Sequence, residues 1–182
     1  MQTVPIKPLL VVNFFGGPGA AKSTMATHVF AELKWIKMNV EYVSEYAKDL
    51  TWDGHFTVLN NQYRVFGEQL HRIERLRDKV DVAVTDSPFL LSAVYNNRNN
   101  GLTQSVLTEF NAEHYIMLNF LITRVKDYVK IGRSQTEAEA REIDKKVKSF
   151  LDDNGVSYQE VRGERDSVSK VIDKIIEVNF FR

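Results

Sequence analysis

Residues 16–23 read GGPGAAKS, a run of small residues that ends in a lysine and a serine. The run matches the pattern G-x-x-x-x-G-K-[ST] at every fixed position except the second glycine, where Ala21 stands. In such a loop the glycines let backbone N–H groups point into one concavity, the lysine reaches the β- and γ-phosphates of a nucleoside triphosphate, and the hydroxyl binds magnesium. We therefore predict a site for ATP and Mg²⁺ that consists of Gly16, Gly17, Pro18, Gly19, Ala20, Ala21, Lys22, Ser23 and Thr24.

The alanine at position 21 sets a condition on the geometry of this loop. With a negative φ it costs little, whereas a positive φ strains an L-residue by about 1 kcal/mol or more. A glycine-rich turn with a chance lysine has the same composition, but the binding motif also requires a strand before it and a helix after it. Both are predicted: residues 9–15 form a continuous apolar run, and apolar residues recur at helical spacing from Met25 to Ile36.

Two carboxylates follow predicted strands and should lie at the same edge of a parallel sheet as this loop. Asp86 ends the apolar run that begins at Val82, and Glu45 lies two residues beyond Val43. We predict that Asp86 is the carboxylate on the metal side, and that Glu45 positions an acceptor hydroxyl or takes its proton. The alternatives are a helix cap for Asp86 and a solvated glutamate at the start of a helix for Glu45.

Basic residues are concentrated in the segment 124–145, at Arg124, Lys126, Lys130, Arg133 and Arg141. Arginines on a mobile lid neutralise charge on a transferring phosphoryl group and exclude water, so we predict catalytic roles for Arg124 and Arg133. The alternative is a solvated helix with ion pairs such as Glu137–Arg141, which explains Arg141 well and the other two arginines less well.

The alternation of strands and helices predicts a three-layer α/β fold with a central parallel sheet, as one domain over residues 1–182. Its ligands should lie beyond the carboxyl ends of the strands. The predicted strands are 9–15, 40–43, 82–86, 115–122 and 157–161. A helix is predicted to follow the glycine-rich loop and to continue to about residue 37, and the other predicted helices are residues 62–79, 136–153 and 165–178. Thr136 and Glu139 have the spacing of a capping box.

The composition excludes several classes of protein. Twenty-four basic residues balance 24 acidic ones, so no net field attracts nucleic acid, and nucleic-acid binding would need a local basic surface. The absence of cysteine excludes a disulfide scaffold, a thiolate zinc site and a cysteine nucleophile. The apolar run near the N-terminus is too short to span a bilayer, so we expect a cytoplasmic protein without membrane contact, either monomeric or homodimeric.

Four further phrases carry a resemblance that covers nearly the whole chain. They are VSEYAKDL at 43–50, TDSPFLLSAVY at 85–95, RVKDYVKIGRSQTEAEAREID at 124–144 and YQEVRG at 158–163. Together with the glycine-rich loop they resemble the AAA-type ATPase/kinase group that includes the ribosylnicotinamide-kinase domain of NadR, many of whose members are phage-encoded.

The resemblance implies a P-loop fold like that of nucleoside and nucleotide kinases, with a helical lid. It places Glu45 and Asp86 on either side of the acceptor, and Arg124, Arg133 and Arg141 in the lid. It also implies that Arg162 and Gly163 lie near the adenine, as part of the cofactor-binding site.

Three functions follow as hypotheses. The first is a kinase that transfers phosphoryl from ATP to a nucleoside, a nucleotide or a related ribosyl small molecule. The second is a kinase of a hydroxylated modified base within DNA, which predicts a basic strip and salt-sensitive DNA binding. The third is a binding module that uses ATP to switch a partner contact and transfers nothing.

Overall fold

The computed structural model describes residues 7–98, 101–125, 127–129 and 136–180. Five strands form one sheet in which every pair of neighbours is parallel. The strands are β1 (Leu9–Phe15), β2 (Val40–Val43), β3 (Val82–Thr85), β4 (Tyr115–Thr123) and β5 (Gln159–Arg162). Their order across the sheet is β2-β3-β1-β4-β5, so β1 lies at the centre.

Helices cover both faces of this sheet. They are α1 (Lys22–Trp35), α2 (Tyr46–Trp52), α3 (Phe56–Leu59), α4 (Gln62–Glu74), α5 (Leu91–Tyr95), α6 (Leu102–Phe110), α7 (Glu137–Asp153) and α8 (Val168–Phe180), the last preceded by a 3₁₀ turn (Arg165–Ser167). The predicted three-layer α/β fold with a central parallel sheet is confirmed.

The central strand explains the three layers. Every residue of β1 is buried, because successive side chains point to opposite faces and both faces are covered. Val11 and Phe15 belong to the core under α4, α5, α6 and α7, whereas Val12 and Phe14 belong to the core under α1 and α8. The polar exception, Asn13, is satisfied by a 3.0 Å hydrogen bond from its Nδ2 to the side-chain oxygen of Asn119 on β4.

The carboxyl ends of all five strands lie at one edge of the sheet because the strands are parallel. The glycine-rich loop follows β1, Glu45 follows β2, Asp86 follows β3, Arg124 follows β4 and Gly163 follows β5. Sequence positions that are far apart in the chain are therefore gathered at one edge.

Element boundaries differ from the predictions in a few places. The helix predicted for residues 62–79 ends at Glu74, and hydrogen-bonded turns through Asp78, whose φ is 61°, lead from it to β3. The predicted capping box is confirmed, since Thr136 accepts from the N–H of Glu139 and the Glu139 carboxylate accepts from the N–H of Thr136. Helices α3 and α6 were not predicted, and helices after Glu45 and Asp86 were considered only as alternatives. Across the described segments, every helix is too short or too polar to cross a membrane.

Candidate functional site

The loop between β1 and α1 is held by its own lysine. The Lys22 ammonium donates to the backbone oxygens of Gly16 at 2.8 Å and Gly17 at 3.0 Å. Burial lowers the pKa of Lys22, although the charges of Glu45 and Asp86 oppose that effect. The loop is therefore folded with the lysine held close to the carboxylates before any phosphate arrives.

Ala21 adopts the strained alternative that the sequence left open. Its φ is 79° and its ψ is 18°, which is the left-handed region, and its carbonyl accepts the first helical hydrogen bond of α1 from Met25 at 2.9 Å. An L-residue in that region costs roughly 1–2 kcal/mol. The loop needs the conformation that a glycine would supply and carries an alanine in its place.

The two carboxylates follow β2 and β3 at the edge of the sheet that also carries the glycine-rich loop, as the sequence predicted. Asp86 is 2% exposed, and its Oδ1 is buried and has no hydrogen-bond partner within the described residues. Glu45 immediately precedes α2 and is half-buried; burial raises its pKa, while the neighbouring Lys22 lowers it. The helix-cap alternative for Asp86 is wrong, because the next helix, α5, begins at Leu91 and has no side-chain cap.

The chemistry of these donors fits a magnesium ion. A buried carboxylate oxygen with no partner costs free energy unless a cation or a donor satisfies it. Mg²⁺ prefers oxygen ligands and is commonly held by one or two carboxylates together with substrate phosphates. Asp86 offers such an oxygen, and the hydroxyl of Ser23 lies in the first turn of α1 beside the loop.

Arg124 does not lie on an exposed arm. Its side chain is 5% exposed, and its Nε and Nη2 donate to Oδ2 of Asp144 at 3.0 and 2.9 Å. Nη2 also donates to the backbone oxygen of Pro18 at 2.9 Å. The structure thus places the buried Arg124 guanidinium in an ion pair with the half-buried Asp144, and this pair braces the glycine-rich loop, whereas the sequence suggested a mobile lid.

The remaining predicted basic residues have different surroundings. Arg141 is 60% exposed and forms an ion pair with Glu137 at 2.7 Å, which is the solvated-helix alternative. Arg133 and most of the lid segment before α7 lie outside the described residues. Arg162 is 65% exposed and pairs with Glu164.

Gly163 packs directly against the glycine-rich loop. A Cβ added to it would lie 2.8 Å from the carbonyl oxygen of Ala20 and 3.1 Å from the Cβ of Ala21. Close beside this contact is a cavity of about 330 Å³ between the first turns of α1 and the segment after β5, lined by Thr24, Met25, His28, Gly163, Glu164 and Arg165. The structure therefore places the loop after β5 in contact with the glycine-rich loop.

A larger cleft, of about 630 Å³, also borders the glycine-rich loop. Its lining includes Pro18, Gly19 and Ser23 of the glycine-rich loop, and Glu45. Aromatic and amide side chains line much of the rest of it, including Trp52, Phe56, Asn61, Tyr63, Tyr95 and Asn96. Burial raises the pKa of the Tyr95 hydroxyl, and the charge of Glu45 adds to that effect.

Asp144 is the site residue that the sequence reasoning missed. Besides pairing with Arg124, it accepts a 2.6 Å hydrogen bond from the backbone N–H of Gly17 through Oδ1. A Cβ at Gly17 would lie 2.6 Å from the carbonyl oxygen of Ala140, so the first turns of α7 rest on the loop. One signal could have pointed to Asp144: it is acidic and lies one turn from Ala140 and Val147 on the buried stripe of α7.

Comparison with known proteins decides the family. The model of a family described as AAA domain matches residues 11–167, which run from β1 to the 3₁₀ turn before α8. The chain belongs to the AAA domain family. No curated protein matches it significantly.

The matched range of this AAA protein contains the glycine-rich loop, both carboxylates, Arg124 and Asp144. Membership in the family identifies the loop as a nucleotide-binding P-loop, and such loops usually bind the nucleotide together with Mg²⁺. The family match covers nucleotide hydrolases and kinases alike, because both classes use this loop.

Proposed function

We propose that this AAA protein is an ATP- and magnesium-dependent kinase that phosphorylates a nucleoside, a nucleotide or a related ribosyl small molecule, like the ribosylnicotinamide-kinase domain of NadR that it resembles. The observation that carries the proposal is the cleft of about 630 Å³ that begins at the P-loop and Glu45. A hydrolase requires space for one water at the terminal phosphate, whereas a kinase requires space for a second substrate.

The P-loop and its flanks account for the nucleotide. The phosphates would lie in the concavity of residues 16–24, and the base would lie in the smaller cavity beside Gly163. Ser23 and Asp86 would hold magnesium, which when bound neutralises charge on the phosphate oxygens. The buried Oδ1 of Asp86 supports this assignment because it has no partner among the described residues.

Glu45 faces the acceptor side. In the transfer, a bond forms between the acceptor oxygen and the γ-phosphorus, the bond from that phosphorus to the β–γ bridging oxygen breaks, and ADP leaves. The proton of the acceptor hydroxyl passes to Glu45. Burial raises the pKa of Glu45, which improves a carboxylate as a base, and its position at the rim of the cleft lets it orient the hydroxyl. Orientation contributes most when the transition state is loose.

The cleft walls suit an acceptor with a planar ring. Trp52 is 66% exposed, Phe56 is 52% exposed and Tyr63 is 49% exposed, although all three line the cleft. Large aromatic side chains with that much exposed surface commonly contact a ligand or a partner. Neighbouring amides such as Asn61 and Asn96 supply both donors and acceptors for a polar ring edge.

The test is transfer of label from γ-labelled ATP to a panel of acceptors: nucleosides, nucleoside monophosphates, ribosylnicotinamide and DNA containing hydroxylated bases. Lys22→Ala serves as the blank, and Lys37→Ala, an exposed lysine just after α1, serves as the matched control. We expect label on one small acceptor with wild type and with Lys37→Ala, but not with Lys22→Ala.

Other outcomes assign other functions. Label on the modified DNA alone would make the protein a DNA-base kinase. Label released as inorganic phosphate, whatever acceptor is present, would make it a hydrolase. Tight ATP binding without loss of label would make it a nucleotide-gated binding module.

A further inference from the structure

We propose that Asp144 is a positioning residue for nucleotide binding: it holds Arg124 against the P-loop so that the second terminal nitrogen of Arg124 meets a phosphate oxygen of the bound nucleotide. The inference rests on the proposed nucleotide site, but it does not depend on which acceptor is phosphorylated or on whether transfer occurs.

The two oxygens of Asp144 have separate partners. Oδ1 accepts from the N–H of Gly17 at 2.6 Å, and Oδ2 accepts from Nε and Nη2 of Arg124 at 3.0 and 2.9 Å. Arg124 then donates to the carbonyl of Pro18, again through Nη2. One carboxylate on α7 therefore fixes the arc from Gly17 to Gly19 both directly and through the guanidinium.

The other terminal nitrogen of Arg124 donates no hydrogen bond in the described structure, and the guanidinium carbon lies 6.0 Å from the ring centroid of Tyr128. Nη1 is buried and has no hydrogen-bond partner there, whereas Nε and Nη2 are both engaged. A Cβ added to Gly19 would lie 3.1 Å from Cδ2 of Tyr128 and 3.2 Å from this nitrogen, so Nη1 and the Tyr128 ring share the face of Gly19 that has no side chain. Gly19 also lines the large cleft beside the P-loop.

These observations together indicate an anion. A buried cationic donor that is left unsatisfied is unfavourable, and a guanidinium is a strong donor to phosphate oxygens. The guanidinium is held by bonds on two of its three nitrogens, so its remaining nitrogen is fixed in direction before the ligand binds. Such preorganisation reduces the entropy cost of binding.

A brace that is only structural makes different predictions from a brace that also presents a phosphate donor. Loss of a structural brace lowers the affinity of every nucleotide alike, or lowers only the melting temperature. Loss of the donor lowers the affinity of ATP, whose β- and γ-phosphates reach the arc Gly17–Gly19, and leaves the affinity of AMP unchanged.

The experiment measures the dissociation constants of ATP and AMP with Mg²⁺ by calorimetry on the full chain. The variants are Asp144→Ala, Asp144→Asn, Arg124→Lys and the double variant Asp144→Ala/Arg124→Lys. Glu142→Ala is the matched control, because it removes an equal charge from the same helix at a side chain that is 70% exposed and paired with Lys145. Melting temperatures are recorded for every variant.

We expect Asp144→Ala and Arg124→Lys each to weaken ATP about tenfold to a hundredfold, as for loss of one charge-assisted hydrogen bond, and to leave AMP within twofold of wild type. The double variant should be no weaker than the weaker single variant, because the two residues act as one unit. Glu142→Ala should match wild type.

If Asp144→Ala fails to fold, Asp144→Asn carries the same test, since its single amide oxygen can serve only one of the two partners. The inference is overturned if ATP affinity stays within twofold in the Asp144 variants, or if ATP and AMP weaken together. A wild-type protein that binds ATP but transfers nothing would refute the kinase proposal. The ATP and AMP affinities of the variants would still test the role of Asp144.

Discussion

Substituting Ala21 by glycine should stabilise the protein. Ala21 has a φ of 79°, a conformation that costs an L-residue roughly 1–2 kcal/mol and costs glycine nothing. Glycine loses more conformational entropy on folding, by roughly 0.5–1 kcal/mol relative to alanine. The difference predicts a gain of about 0.5–1 kcal/mol in the free energy of unfolding.

Ala20→Gly is the matched control, since it makes the same chemical change one residue earlier. Ala20 is fully buried and does not have a positive φ, so its substitution loses a buried methyl group and gains no relief of strain. The buried methyl contributes about 0.8 kcal/mol, and the entropy of glycine adds to the loss. Ala20→Gly should therefore destabilise by about 1–2 kcal/mol.

Urea denaturation at equilibrium measures both effects as shifts of the midpoint at constant slope. In a chain of this size, 1 kcal/mol corresponds to a change of about 2–4 °C in melting temperature, so Ala21→Gly should raise it by about 1–4 °C. If Ala21→Gly lowers the midpoint as Ala20→Gly does, the backbone at position 21 is not strained and the reasoning is refuted.

Three further predictions concern the site. Asp86→Asn should raise the Mg²⁺ concentration that gives half-maximal activity by roughly 10- to 100-fold, and an unchanged magnesium titration would contradict its assignment. Because burial raises the pKa of Glu45, activity should fall as the pH drops through that raised pKa. Glu45→Gln should abolish this loss of activity at acid pH and should lower kcat by roughly 10²- to 10⁴-fold. If the variant still loses activity at acid pH, another group titrates. Gly163→Ala should lower the free energy of unfolding in urea by about 1–3 kcal/mol, because its methyl group would lie 2.8 Å from the carbonyl oxygen of Ala20. Gly67→Ala should not lower it, because nothing lies within 4 Å of a Cβ at Gly67. Equal effects of the two substitutions would exclude the close contact at Gly163.

The sheet and the nucleotide loop could be predicted because their signals are local. The run Leu9–Phe15 is apolar at nearly every position, the glycines follow at once, and α1 has a stripe at helical spacing. Parallel pairing then required Glu45 and Asp86 to share the edge with the loop, since each follows a strand directly. The positions of these two carboxylates could therefore be predicted without knowledge of any long-range side-chain contact.

Two helices on the cleft wall escaped prediction because they bury little. Helix α2 has one buried residue, Leu50, and α3 has none. A helix whose side chains line a cleft does not show a continuous apolar stripe, so the periodicity that identified α1 is absent. These are also the segments where the acceptor specificity would lie, which is why the sequence alone did not identify the acceptor.

The surroundings of Arg124 could not be predicted because they depend on a distant residue. Its partner Asp144 lies 20 positions away, and the Gly17 that shares this partner lies 127 positions from Asp144. An arginine in a basic segment is ordinarily exposed, whereas the packing of α7 on the P-loop and the ring of Tyr128 cover this one. Because of this long-range contact, Arg124 supports the P-loop, whereas the sequence predicted that it belongs to a lid.

The most direct test of the central claim is to follow the terminal phosphoryl group of ATP in a single turnover with an acceptor panel present. The account predicts that the label leaves ATP and appears on an acceptor oxygen faster than it appears as inorganic phosphate, and that Lys22→Ala stops both. Label that goes to water at the same rate with and without every acceptor would contradict the claim that the cleft beside Glu45 binds a second substrate.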